Sequence, residues 1–353
     1  MKRIAWTVRL LVAIPLFAVG VARGQDEVRY FDRTKKAEVT VTGTIQEESP
    51  GRIVIKSATA GGGREIPAGD VIDVVYQVRP ALTLDYRRAR TKEAALEKAE
   101  EAKRVDALKE ALKEYTDFAG KVADVKPLAR HIDYKITRLK LLLAAEDPNQ
   151  ADAALSALAD FKKKHPGGWQ IVHVSRLLAS LQEEKGDYLE AAATFDELAK
   201  TPGISREIQQ ECELRAAQAL TRAKRFKEAE TRLRNSLRSL SATDPQATRV
   251  QIFLAQCQAG NGQLQEAVND LTAIIDKVSD PQLKAMAYNT LGDCYLLAGR
   301  SKDALWSYLW VDVIYHQDKT EHARAMAQLA KLFEERQDEA RAKEYRERLA
   351  KTK

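Results

Sequence analysis

The stretch Tyr288–Tyr308, YNTLGDCYLLAGRSKDALWSY, decides the fold. Tyr288, Leu291, Gly292 and Tyr295 form an i, i+3, i+4, i+7 stripe, one face of a helix, with a glycine small enough to let a neighbouring helix approach. Gly299-Arg300-Ser301 interrupts the pattern. Glycine suits the left-handed residue that ends a helix, and Ser301 suits the cap that begins the next. The second helix offers Ala304, Tyr308 and Val311 on one face. Two short helices joined by a tight turn are expected.

The same frame recurs through the last two-thirds of the chain. The alanine after the turn returns as Ala154, Ala191, Ala229, Ala267, Ala304 and Ala342, at spacings of 37, 38, 38, 37 and 38 residues. Five residues before each lie Asn149, Gly186, Lys224, Gly262, Gly299 and Gln337, and twelve before lie Leu142, Ala179, Ala217, Ala255, Gly292 and Ala330. Four residues after it stand Phe195 and Tyr308 in two repeats and Leu158, Leu233 and Leu271 in three. Pro166, and Pro202 and Pro281 slightly displaced, suit the ends of second helices.

This order of aromatic, Leu-Gly, aromatic, turn glycine, alanine and aromatic resembles the tetratricopeptide repeat family, at a period a few residues longer than the family's usual ~34. The resemblance implies a mainly α superhelical solenoid of about six helical hairpins over residues 126–353, each burying its apolar face against its neighbours. Leu291, Gly292, Tyr295, Gly299, Ala304 and Tyr308 are then packing or turn positions. The family lines a groove with the first helix of each pair. Carried over position by position, that groove falls on Glu211, Gln218, Arg249, Gln256, Asn289, Asp293, Arg324 and Lys331. An asparagine such as Asn289 can bond a peptide backbone through both its carbonyl and its amide, and Arg249, Arg324 and Lys331 can pair with carboxylates. The family's complete Lys/Asn clamp for a free C-terminus is absent. An ordinary solvated helix face is the alternative reading of each of these residues.

Upstream, residues 1–24 read as a secretory signal peptide: Lys2, Arg3 and Arg9, then the apolar run Leu10–Ala22, then Ala22-Arg23-Gly24 as a small-x-small cleavage site. An uncleaved membrane anchor is the alternative. Export places the chain in a bacterial periplasm or envelope, with secretion also open. The segment holds four basic residues and no acidic one, leaving +2 of the formal +6 for the rest, so no charge argument points to nucleic acid. Residues 25–80 change period: Val39, Val41, Gly43 and Ile45 alternate with threonines, and Ile53–Ile55 and Val71–Tyr76 read as further strands. Several short strands in about fifty residues resemble a small SH3-like or Sm-like barrel, closed so that no edge is left exposed. The Gly61–Gly63 triplet lacks the following GK[ST] of a phosphate loop and reads as a hairpin loop. Residues 81–125, rich in Ala, Glu, Lys and Leu, predict one long connecting helix that caps the array.

Chemistry is hard to find. Cys212, Cys257 and Cys294 form no CxxC; Cys257 and Cys294 share a repeat position too far apart on stacked helices to bridge, so both are expected as thiols. The five histidines show no metal spacing, with His316 and His322 expected in a solvated turn, and no nucleophile elbow or dinucleotide fingerprint occurs. Trp306 and Trp310 are either a packing pair or an apolar surface patch. The reading is therefore a non-enzymatic scaffold without cofactor or metal that binds a protein or peptide. It contacts a membrane only if the leader stays uncleaved. The second reading is a structural or self-associating spacer that presents the β-domain.

Overall fold

The computed structural model describes residues 25–57, 62–241 and 244–351; the leader lies outside them. The chain divides into two compact units at Gln209/Gln210.

The first unit opens with strands β1 (Asp26–Asp32), β2 (Ala37–Glu48), β3 (Arg52–Ser57), β4 (Gly63–Pro67) and β5 (Val71–Val75), antiparallel in the order β4-β3-β2-β1-β5. Asp32 sets the first hairpin by accepting from the Thr34 and Lys35 amides and the Thr34 hydroxyl, which lets Lys36 take a left-handed φ of 51°. The sheet corrects one expectation. It does not close into a barrel, because β4 and β5, neighbours in sequence, are its two opposite edges. Helices cover it instead. Val28, Tyr30, Ile53, Ile55, Ile66, Val71 and Val74 are buried.

Helices α1 (Thr83–Ala95) and α2 (Arg104–Ala119) occupy the segment expected as one long helix. The chain folds back beyond the buried Leu96, so its charges pair across two helices: Lys92 with Glu110 at 2.6 Å, and the Tyr115 hydroxyl donates to Glu93 at 2.6 Å. Helices α3 (Lys126–Glu146) and α4 (Ala151–Lys164), then α5 (Gln170–Lys185) and α6 (Tyr188–Ala199), are the first two hairpins. The first-helix side of these hairpins meets the sheet and its turns. The His173 ring nitrogen lies 2.9 Å from the Ala68 carbonyl, and a Cβ on Gly51 would come within 1.9 Å of the Gly203 carbonyl, so only glycine fits that approach.

Helix α7 (Arg206–Arg222) carries the chain into the second unit, followed by α8 (Phe226–Arg238), α9 (Pro245–Gly260), α10 (Leu264–Lys277), α11 (Pro281–Leu297), α12 (Ser301–Val313), α13 (Lys319–Glu335) and α14 (Glu339–Lys351). Five of the turns share one geometry. Gly186, Lys224, Gly262, Gly299 and Gln337 all have positive φ, and the next amide donates to the carbonyl five residues back: Asp187 to Gln182, Arg225 to Leu220, Gln263 to Gln258, Arg300 to Tyr295 and Asp338 to Phe333. This is the Schellman ending. The same residue then accepts from the repeat alanine, as Arg300 does from Ala304, and all six alanines are buried. Arg300, not Ser301, is therefore the cap of α12, and no side chain caps it. Pro281 starts α11 rather than ending α10; Asp280 before it accepts from the Gln282 and Leu283 amides. Cys212, Cys257 and Cys294 are buried free thiols on α7, α9 and α11.

Candidate partner-binding surface

The first helices of the last three repeats are tied together by side chains. Arg249 on α9 donates to the Gln282 side-chain carbonyl at 2.9 Å, and the Gln282 amide donates to Asp318, the cap of α13, at 2.5 Å. One turn deeper, Asn289 on α11 is buried, and its amide donates to the Glu321 backbone carbonyl at 2.9 Å and carboxylate at 2.7 Å. Asp293 accepts from Arg324 on α13 at 2.5 Å and from the Tyr308 hydroxyl on α12 at 2.6 Å. The structure thus joins Asn289, Asp293 and Arg324 in one network. Arg249 and Lys331 are exposed, while Glu211, Gln218 and Gln256 are half-buried. Burial, then the Asp293 carboxylate, drives the Tyr308 hydroxyl far above its ordinary pKa, so it remains a donor.

Asn289 is a strut here and not a free clamp. Its amide orientation is fixed by two acceptors, and its own carbonyl oxygen is buried without a partner. The helical register of the sequence places Asn289 on the right face. What it could not show is that Glu321, thirty-two residues on, covers it.

A second polar cluster, in the first unit, escaped the sequence reading. The Lys135 ammonium on α3 lies 2.8 Å from Asp73 on β5 and 3.0 Å from Glu93 on α1. Burial alone would lower Lys135, but Asp73 and Glu93 more than offset it and its pKa is raised. Burial would raise Asp73, yet the Lys135 charge holds it below the usual carboxylate range. His131, one turn back, is fully buried with no hydrogen-bond partner for either ring nitrogen; burial, then the Lys135 charge, hold it down to about 3. Its ring packs among Tyr76, Tyr134 and Trp169 at 5.1, 6.3 and 6.2 Å. Beside it, the Glu48 carboxylate of β2 takes the Tyr76 hydroxyl and the Arg130 guanidinium of α3. A histidine sealed by aromatic rings offers no substrate a path to it. The cluster fastens sheet to helices.

One further placement differs from expectation, and one decides between two readings. His322 is no solvated turn residue: it lies 2.7 Å from Asp312, a buried carboxylate that also accepts from Tyr345 at 2.9 Å and from Arg348 at 2.5 Å, locking α12, α13 and α14. Trp306 and Trp310 are exposed. Among the described residues no group of three or more His, Cys, Asp or Glu could hold a metal ion, and no helix is long and apolar enough to cross a membrane.

No family model matches the chain, and no curated protein sequence matches it. Solved structures do. A tetratricopeptide repeat protein from Parabacteroides merdae superposes with a TM-score of 0.53 over 76% of this chain and 93% of its own, at 14% identity. A thermophilic tetratricopeptide repeat protein from Thermus thermophilus covers 56% of this chain and 98% of its own at 20% identity, TM-score 0.38. A Rap protein complexed with competence and sporulation factor covers 76% of both chains at 12% identity, TM-score 0.48. The first of these shows the fold: a tetratricopeptide-type array of helical hairpins.

Proposed function

We propose that this chain is a non-enzymatic scaffold of the cell envelope, holding a protein or peptide on the first-helix face of its later repeats. One observation carries the reading: side chains run hydrogen-bonded across three consecutive repeats, through Arg249, Gln282 and Asp318 and through Asn289, Glu321, Arg324 and Asp293. A face fixed in this way loses little side-chain freedom when a partner arrives, and that ordering cost is about 0.5–1.5 kcal/mol per long side chain on an unordered surface. Asn289, Asp293 and Arg324 are buried or committed within the ladder, whereas Lys331 and Arg249 are exposed, Arg249 keeping one bond to Gln282, and Gln218, Gln256 and Glu211 are half-buried on the same face. Their mixed character fits a polar peptide carrying at least one carboxylate for Arg249 or Lys331.

The export half of the proposal rests on residues 1–24. Its check is N-terminal sequencing of the full chain expressed in a bacterial host: an osmotic-shock fraction beginning at Gln25 agrees with it, and an intact cytosolic chain removes it. The binding half is tested by crosslinking in intact cells. Arg249→Glu with Lys331→Glu should cut recovery of the principal crosslinked partner at least tenfold with an unchanged melting temperature. Equal recovery from the folded double variant removes this face from the proposal.

A further inference from the structure

Helix α12 has two apolar faces. Ala304, Tyr308 and Val311 fill the repeat core, while on the far side Trp306, Trp310, Val313 and Ile314 stand 59%, 47%, 61% and 45% exposed. Single exposed apolar residues are ordinary, but three on two turns of α12 with Ile314 directly after its end form a patch. Trp310 is also held in one pose: it stacks on Tyr288 at 5.8 Å, Tyr288 stacks on Tyr315 at 5.5 Å, and the Lys284 ammonium lies 5.8 Å from the Tyr315 ring centre. A large aromatic already packed on one side makes a strong anchor at an interface.

We infer that this surface pairs with the same surface on a second copy of the chain. Three features favour that occupant. First, Trp306, Trp310 and Ile314 lie four residues apart, and the Ile314 amide still donates to the Trp310 carbonyl, so they form one i±4 ridge symmetric about Trp310. Two antiparallel α12 helices crossing at Trp310 interlock such ridges and set Trp306 against Ile314 of the second copy twice over. Second, the four side chains expose on the order of 400 Å² of apolar area, close to the ~450 Å² apolar share of one partner in a standard interface of ~800 Å² per side. Third, the charges next to it are of both signs: the Lys284 ammonium lies over Tyr315, Asp276 bears on Tyr288, and Lys302 and Asp303 stand one turn before Trp306 on α12. An anionic lipid surface would call for a basic rim.

The pairing is a reversible dimer in the micromolar range and does not depend on the groove proposal. Sedimentation equilibrium of the chain from Gln25 over roughly 1–200 μM tests it. The wild type should shift from monomer to dimer across that range, and Trp306→Glu and Ile314→Lys should each raise the dissociation constant at least tenfold with an unchanged melting temperature. Mixing the two variants should recover association, because each mixed dimer matches the new carboxylate with the new ammonium at one of the two equivalent contacts. A wild type that stays monomeric at 200 μM overturns the inference, as does vesicle binding by the monomer that Trp306→Glu abolishes. Failure of the mixed variants to associate overturns the antiparallel register.

Discussion

Replacing Lys135 by methionine should destabilise the first unit by about 3 kcal/mol at pH 7 and much less in acid. Methionine keeps the length and the apolar stem, so the change isolates the ammonium. Its side chain is only 5% exposed, against 19% and 18% for its partners Asp73 and Glu93. Removing one member of a buried ion pair costs roughly 3–5 kcal/mol, because the remaining charge is left desolvated. Arg138, whose charge also bears on Asp73 and Glu93, puts this case at the lower end. The sign with pH follows. In the wild type, Asp73 is held below its ordinary pKa, so its pairing stabilises the fold above about pH 4 and is lost as pH falls further. In the variant the stranded Asp73 carboxylate regains neutrality by taking up a proton, so the gap between the two proteins narrows as pH falls towards 4. Urea denaturation of the chain beginning at Gln25, which lacks Trp6, in a Trp306→Phe, Trp310→Phe background leaves the buried Trp169 to report the sheet–helix interface, with the slope checked for constancy. A loss under about 1 kcal/mol at pH 7, or an equal loss at pH 7 and pH 4, would refute the claim that the three charges compensate one another.

The buried His131 and the half-buried His173 should make the first unit acid-labile. His131 is held down to about 3 and His173 to about 4, each chiefly by burial, so each contributes stability above the unfolded value of about 6.5 that is lost as pH falls towards its folded value. Between pH 7 and 4.5 one such group costs about 2.5 kcal/mol, and His131→Phe should remove about half of the pH slope measured by urea denaturation. An unchanged slope would mean that His131 is already charged in the fold. In the second unit, a Cβ on Gly292 would sit 2.6 Å from Cζ of Tyr308, whose hydroxyl is pinned to Asp293. Gly292→Ala gains about 1 kcal/mol of helix propensity against about 1–3 kcal/mol of overpacking, so a net loss is expected in thermal unfolding. Tyr308→Leu should relieve it, and the coupling in a double-mutant cycle checks the contact directly.

The hairpins were legible because their determinants are local. A Schellman turn needs a residue at positive φ, and glycine announces it at positions 186, 262 and 299. At Lys224 and Gln337 the residue type is silent, and only the regular spacing reveals the turn. The small alanine was readable for the same reason, since one side chain suffices to mark a close helix approach. The sheet–helix cluster was not readable. Asp73, Glu93 and Lys135 are separated by 20 and 42 residues; Glu93 sits in a charged stretch that reads as solvated, and Asp73 is a lone charge within an apolar strand. Nor could composition tell one helix over residues 81–125 from two, because lysine–glutamate pairs across α1 and α2 look the same as pairs along one helix. Asn289 shows the same limit more finely: periodicity assigns a face, but only the next repeat decides whether that face is open.

The three thiols have a use that their inertness creates. Burial pushes Cys257 up to about 11 and Cys294 up to about 12, and Cys212 is equally hidden, so none reacts with an alkylating reagent while its helix is closed. They lie on α7, α9 and α11, the first helices of three successive repeats. Each is a clock for the opening of its own hairpin, and the order in which they become alkylated reads out whether this stack of repeats melts from one end or all at once.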